Sequence, residues 1–157
     1  MELREVSDRV EIQAALTRYA TGVDSKNWGL WQTVFTEDAD VDYTNSTPLR
    51  GTPTELAAWY EVNFAPVPWT MHYVTNVDIT FDGAEDAAKV TAMFYNPCLL
   101  PGQDATSYFG GYYHHDFVRT PQGWRSKHLV EEMVWWVNHP VRGTSSTAPT
   151  VFTAAAR

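Results

Sequence analysis

The apolar positions at the start of the chain recur at roughly helical spacing. Val10, Ile12, Leu16, Tyr19 and Val23 follow Ser7, a candidate N-cap, and Gly22 stands where such a helix would end or just inside that end. A second short helix is expected over residues 28–35, where Trp28, Leu30, Trp31, Val34 and Phe35 are apolar, with residues 24–27 joining the two. Residues 39–44 read as a short strand. Thr52-Pro53-Thr54-Glu55 then supplies a capping residue, a proline at the first helical position and an acid three residues on. That third helix runs through Leu56, Trp59, Tyr60 and Phe64 until Pro66 and Pro68 stop it.

From residue 72 the period changes from helical to alternating. Residues 72–81 alternate up to Asp82-Gly83, a hairpin signal, and strands are expected over 87–99, 107–120 and 124–137, with Pro121-Gln122-Gly123 turning the last pair. Beyond Asn138 the chain is rich in Pro, Gly, Ser, Thr and Ala, so a single domain over 1–137 and a tail over 138–157 with little structure of its own are expected. Helices that precede a long antiparallel meander specify an α+β class, with a curved sheet closed by three N-terminal helices around a hydrophobic pocket.

Composition sharpens the picture of that pocket. Seven Trp and eight Tyr among 157 residues bring the aromatic share to 14%. Rings with an apolar body and a polar edge suit a cavity for a greasy, partly oxygenated ligand, and equally suit the filling of a core. Eleven basic against nineteen acidic residues leave a formal net charge of −8, with no basic cluster to offset it. That field repels nucleic acid and anionic membranes. A lone cysteine, Cys98, excludes an intrachain disulfide and a cysteine-based zinc site. With a charged N-terminus and no apolar run of membrane-spanning length, a cytoplasmic protein is expected.

Several residues are candidates for chemistry. Asp24 follows an apolar helix, where an acid also serves as an ordinary turn residue. His72 opens the first long strand among aromatic neighbours, where a lone histidine is also a structural option. A neutral imidazole accepts and returns a proton near physiological pH, and a carboxylate on its other nitrogen fixes the tautomer and stabilises the cation. A tyrosine hydroxyl from Tyr43 or Tyr19 then polarises a carbonyl or protonates a departing hydroxide. That set needs neither metal nor organic cofactor. His114 and His115 are adjacent on a strand and face opposite ways, which disfavours a shared metal; Glu131 and Glu132 likewise split, with Glu131 a further polar group of the site if it faces inward. Cys98 has no Cys or His partner nearby and reads as a small buried hydrophobe.

Tyr19-Ala-Thr-Gly-Val-Asp24-Ser-Lys-Asn-Trp28, Asp38-Ala-Asp-Val-Asp-Tyr43, Met71-His72-Tyr-Val-Thr-Asn76, Gly110-Gly111-Tyr-Tyr and Gln122-Gly-Trp124 together resemble the SnoaL-like, or nuclear transport factor 2-like, superfamily. Within it the chain is similar to scytalone dehydratase, hexachlorocyclohexane dehydrochlorinase and bile acid 7α-dehydratase over about residues 5 to 137. The resemblance implies that Asp24 and His72 form the dyad, His72 being the base that takes a proton from carbon. It implies that Tyr19 and Tyr43 are active-site tyrosines. Other positions depart: a second histidine of scytalone dehydratase falls on Gly110 or Gly111, an arginine of the dehydrochlorinase on Leu129, and a second acid of the bile acid dehydratase near Pro97.

The expected function is a cofactor-independent lyase that eliminates water, less readily halide, from a hydrophobic cyclic or polyketide-like molecule. An isomerase or cyclase with the same dyad, and a non-catalytic binding or assembly subunit, are the alternatives. The catalytic set is His72, Asp24, Tyr43 and Tyr19. Trp28, Val41, Phe64, Trp69, Tyr113, Leu129, Glu131 and Met133 are the expected substrate-binding positions. The partners expected are a hydrophobic small molecule and further copies of the chain, a trimer before a dimer, the oligomer from the resemblance and from Trp135 or Trp136 on a sheet face that needs covering.

Overall fold

In a computed structural model, which describes residues 2–83, 86–140 and 143–145, the chain is α+β. Helix α1 (Leu3–Asp24) leads into the one-turn α2 (Trp28–Gln32), strand β1 (Phe35–Asp42), the short β2 (Arg50–Gly51) and α3 (Pro53–Asn63). Strands β3 (Trp69–Thr70), β4 (Tyr73–Phe81), β5 (Ala87–Leu99), β6 (Ser107–Thr120), β7 (Gly123–His139) and β8 (Gly143–Ser145) complete the sheet. Its order is β2-β1-β7-β6-β5-β3, with β4 also on β5 and β8 on β7.

The pairings are antiparallel except β1 with β7, which run parallel with Val41 beside Leu129. That one parallel pair was outside the expected meander. Helix α3 separates β2 from the meander, so β1 lies between its sequence neighbour β2 and the last long strand, β7.

Helix α1 begins at Leu3 without a side-chain cap, four residues before the expected Ser7. The Val6 amide closing on the Glu2 carbonyl at 3.2 Å and the Glu5–Arg9 ion pair at 2.8 Å hold that extra turn. Gly22 lies just inside the end of the helix, the second of the two expected places, because α2 crosses there: a Cβ on Gly22 would stand 2.8 Å from both the Cβ and the amide nitrogen of Trp31. Phe35 opens β1 instead of closing α2. Helix α3 carries the full capping box, Thr52 Oγ1 accepting from the Glu55 amide and Glu55 accepting from the Thr52 amide. Strand β7 runs past residue 137 to His139, and β8 folds back on it, Val137 beside Ser145. The rest of the expected tail, residues 141–142 and those from 146 on, lies outside the described residues.

The core lies between α1–α3 and the concave face of the sheet. Ile12, Trp31, Phe117, Trp124 and Leu129 are its fully buried anchors. Each large aliphatic or aromatic side chain buried this way contributes roughly 1.5–3 kcal/mol. One polar tie crosses it: Asp8, on the buried face of α1, accepts two hydrogen bonds from Arg119 at 2.9 and 2.7 Å and one from Trp124 Nε1 at 3.0 Å. The Arg119 guanidinium holds the Asp8 carboxyl below its ordinary range. These bonds fix the N-terminal part of α1 against β6 and β7, at the opposite end of the helix from Asp24.

Candidate active site

Asp24 is the last residue of α1. A carboxylate there meets the negative end of the helix, at a cost of about 0.3–1 kcal/mol. What offsets that cost is a two-point grip on His72. Asp24 Oδ2 accepts from the His72 backbone amide at 2.8 Å, and Oδ1 lies 2.6 Å from His72 Nδ1. The amide is available because β3 and β4, both paired to β5, are interrupted at Met71 and His72. Lys26 pins the same loop, its Nζ donating to the carbonyls of Val67 at 2.6 Å and Ala65 at 3.1 Å, on the segment that leads to His72. A carboxylate only accepts, so Nδ1 carries the imidazole proton and the Nε2 lone pair is left to act as a base.

His72 lines a cavity of about 650 Å³ bounded by α1, α3, the 43–49 loop and the concave sheet. Asp24 does not line it; it faces an outer groove between α1 and the start of β4, and reaches the cavity only through His72. The wall is apolar along Val23, Leu49, Phe64, Val67, Phe94 and Met133.

Its polar end is built from tyrosines. Tyr19 and Tyr43 share a hydrogen bond of 2.8 Å between their hydroxyls. The Tyr113 ring packs 5.0 Å from Tyr19 and stacks on Phe94 at 4.6 Å, and the Tyr60 ring lies 6.4 Å from Tyr43. Burial first, and then the Glu131 carboxylate and the neighbouring phenols, push all four phenols above their ordinary pKa. They therefore remain protonated, and act as hydrogen-bond donors, throughout the physiological range. Tyr19 also meets the His72 ring edge-on at 6.3 Å, so donors and base share one chamber.

A family model for the SnoaL-like domain matches residues 4–130. The chain belongs to that family. Its relatives include the uncharacterised protein Rv2910c of Mycobacterium tuberculosis, 33% identical over 132 residues that cover 83% of this chain and 88% of that one. Among solved structures, a Novosphingobium aromaticivorans protein assigned as a scytalone dehydratase superposes with a TM-score of 0.77 at 17% identity, over 89% of this chain and 93% of that one. A hexachlorocyclohexane dehydrochlorinase, LinA-type3 of Novosphingobium barchaimii, superposes at 0.76 with 19% identity, over 87% and 93%. At these identities the likeness is one of fold.

Within this SnoaL-like fold, His72, Tyr19, Tyr43, Phe64, Tyr113, Glu131 and Met133 all line the cavity. Four expected wall positions do not. Val41 and Leu129 point the right way but lie one layer deeper, fully buried beside each other under Tyr43 and Glu131. Trp28 sits behind the wall, stacked on Tyr60 at 4.9 Å and edge-on to Phe64. Trp69 faces outward and is 39% exposed, while its neighbour Thr70 takes the inward place.

The alternation that separates adjacent residues on a strand holds at both acidic and histidine pairs. Glu131 enters the cavity, while Glu132 stays outside and pairs with His114 at 2.8 Å. His115 is buried below the tyrosines, with Nδ1 2.9 Å from Ser126 Oγ. Since that hydroxyl donates onward to the His128 carbonyl, Nδ1 is the donor and Nε2 carries the lone pair. Nε2 finds no hydrogen-bond partner among the described residues, and burial pushes the imidazole down to about 3.

Tyr60, Phe94, Asn96 and Thr70 line the cavity without having been singled out. The signal was there for three of them: Tyr60 is one helical turn before Phe64, the C-cap of α3, and Phe94 and Asn96 share a strand face with Ala92 and Cys98. Cys98 itself is buried at the wall with its thiol pushed up to about 12, so it stays a protonated, apolar group.

Proposed function

We propose that the protein is a lyase that eliminates water from a hydrophobic cyclic small molecule, with His72 as base, Asp24 as the residue that positions it, and Tyr19 and Tyr43 as donors. The observation that carries this reading is the double hydrogen bond of Asp24 to the ring and the backbone amide of a single histidine that also lines a large, mostly apolar cavity. A buried structural histidine has no need of a carboxylate placed at the unfavourable end of a helix. The enzymes among the fold neighbours, a dehydrochlorinase and an assigned dehydratase, support elimination as the reaction class.

The steps balance with the groups present. His72 Nε2 takes the proton α to a carbonyl, and the C–H electron pair moves toward the carbonyl oxygen. The Tyr19–Tyr43 pair donates to that oxygen as negative charge develops on it, the kind of donor whose removal costs about 10²–10³ in rate. The enolate electrons then form the double bond as the β C–O bond breaks. The departing hydroxide takes the proton back from the His72 imidazolium on the same face, releasing water and restoring the base. Asp24 lowers the energy of the imidazolium that exists between the two transfers.

A panel of cyclic β-hydroxy ketones incubated with the wild type and with His72→Ala tests the proposal by mass. A product lighter by one water, made by the wild type alone, supports it. A product of unchanged mass assigns the same dyad to an isomerase or cyclase and overturns the elimination.

A further inference from the structure

Two spaces share the dyad. His72 lines the cavity and, together with Asp24, also lines the outer groove of about 630 Å³ between α1 and the start of β4. That groove is negative. Asp24 Oδ1 and Oδ2 each meet one nitrogen of His72, which leaves each oxygen a further lone pair, and the side chain is part-exposed. Among the described residues no lysine or arginine lines the groove, and Asp24 pairs with His72 alone. Lys26, the nearest cation in sequence, is committed to the carbonyls of Ala65 and Val67.

Other groups along the groove suit a ligand of positive charge. Thr17 Oγ1 donates to the Gln13 carbonyl at 3.0 Å and Ser25 Oγ to the Thr21 carbonyl at 2.6 Å. Both residues line the groove, and their hydroxyls keep lone pairs rather than protons to offer a ligand. The C-terminal end of α1 adds its partial negative charge at Asp24. Leu16 and Val74 are apolar lining, and the half-exposed Tyr73, tilted 5.9 Å from Tyr95, supplies an aromatic ring. A planar cation with an apolar body finds a carboxylate, hydroxyl acceptors and a ring in one place.

We propose that this groove is a regulatory site for a small organic cation of the amidinium or guanidinium class, which pairs with Asp24 from behind the dyad and slows the reaction. The regulation rests on His72 being the base; the binding does not. A cation on Asp24 stands about 7 Å from the centre of the imidazolium, at an effective dielectric of about 20. Its repulsion, reduced by solvent in an open groove, is expected to lower kcat about tenfold. The cavity stays free, so KM is expected to remain within about twofold.

The probes are benzamidine and its uncharged counterpart benzamide. Calorimetry follows their binding to the wild type, Asp24→Asn and Thr17→Arg, and benzamidine is then added to turnover of the substrate that the wild type dehydrates. The wild type is expected to bind benzamidine at least about tenfold tighter than benzamide. Asp24→Asn should bring the two within about threefold. Thr17→Arg, at an exposed helical position, puts a fixed guanidinium in the groove and should weaken benzamidine at least about tenfold. It also keeps the test decisive should Asp24→Asn not fold. Equal binding of the two probes, tight benzamidine binding kept by Thr17→Arg, a rise in KM alone, or bound benzamidine that leaves kcat unchanged overturns the inference. His72→Ala separates it from the dyad. If that variant is as fast as the wild type while benzamidine keeps its preference for the groove, the dyad fails, and with it the regulation, but not the binding. If His72→Ala is inactive and the two probes bind alike, the groove fails alone.

Discussion

Asp24→Asn removes one charge from the site while keeping the side chain's shape. In the wild type, the carboxylate lies 2.6 Å from His72 Nδ1, so its charge is about 4 Å from the centre of an imidazolium. At the effective dielectric of a partly exposed protein site, such a pair is worth about 4 kcal/mol. Full development of that charge in the transition state would correspond to about 10³ in rate. The Asp24 side chain keeps 27% of its surface exposed, so solvent screening reduces the effect, and a loss of about 10²–10³ in kcat is expected. Stability should hardly change. The asparagine oxygen still accepts from the His72 amide, and removing a carboxylate from a helix C-terminus returns about 0.3–1 kcal/mol. The assay compares kcat of the two proteins on the substrate that the wild type dehydrates, with urea titrations alongside. A rate within about fivefold of wild type, in a protein that unfolds at the same urea concentration, would refute the claim that Asp24 stabilises a charged His72.

Three further predictions come from other parts of the molecule. Tyr19→Phe strips the Tyr43 hydroxyl of its 2.8 Å partner in a buried setting and should cost about 1–2 kcal/mol in unfolding free energy, read by chemical denaturation; an unchanged midpoint would show that the Tyr43 hydroxyl is satisfied elsewhere. His115 has a folded pKa near 3, below its ordinary value of 6.5, so the neutral form is the one the fold favours. Its stability contribution is complete above pH 6.5 and is lost as pH falls toward 3; the wild type should therefore lose stability faster than His115→Gln between those values, and parallel curves would contradict it. Gly111→Ala drives a Cβ into the Glu132 carbonyl oxygen at the bulge between Gly110 and Gly111, and should lower Tm by several degrees or prevent folding; a Tm equal to wild type would mean that the bulge relaxes freely.

The elements that sequence specified best were those with a strong local signal. The capping box at Thr52–Glu55 started α3 where expected, and the alternation of β5 and β6 gave their observed bounds. The start of α1 was missed because its helix is held by a Glu5–Arg9 pair and by Asp8, whose burial makes sense only once Arg119 and Trp124 are beside it. Approach of Asp24 to His72 spans 48 positions in sequence, and the resemblance to the SnoaL-like family, rather than periodicity, brought them together. Period-two reasoning told which face Val41 and Leu129 occupy but not their depth, since depth depends on how the curled sheet closes. At Trp69 the strand is two residues long, too short for alternation to decide between it and Thr70. The tyrosine cluster was half visible: Tyr19, Tyr43 and Tyr113 were chosen, whereas Tyr60 arrives on α3 and joins them only through the packing of helix against sheet.

Mass spectrometry of a host metabolite extract, incubated with wild type and with His72→Ala, tests whether His72 is the base of an elimination. The account predicts a metabolite consumed by the wild type alone, with a product lighter by one water. Formation of that product by His72→Ala at the wild-type rate would contradict it.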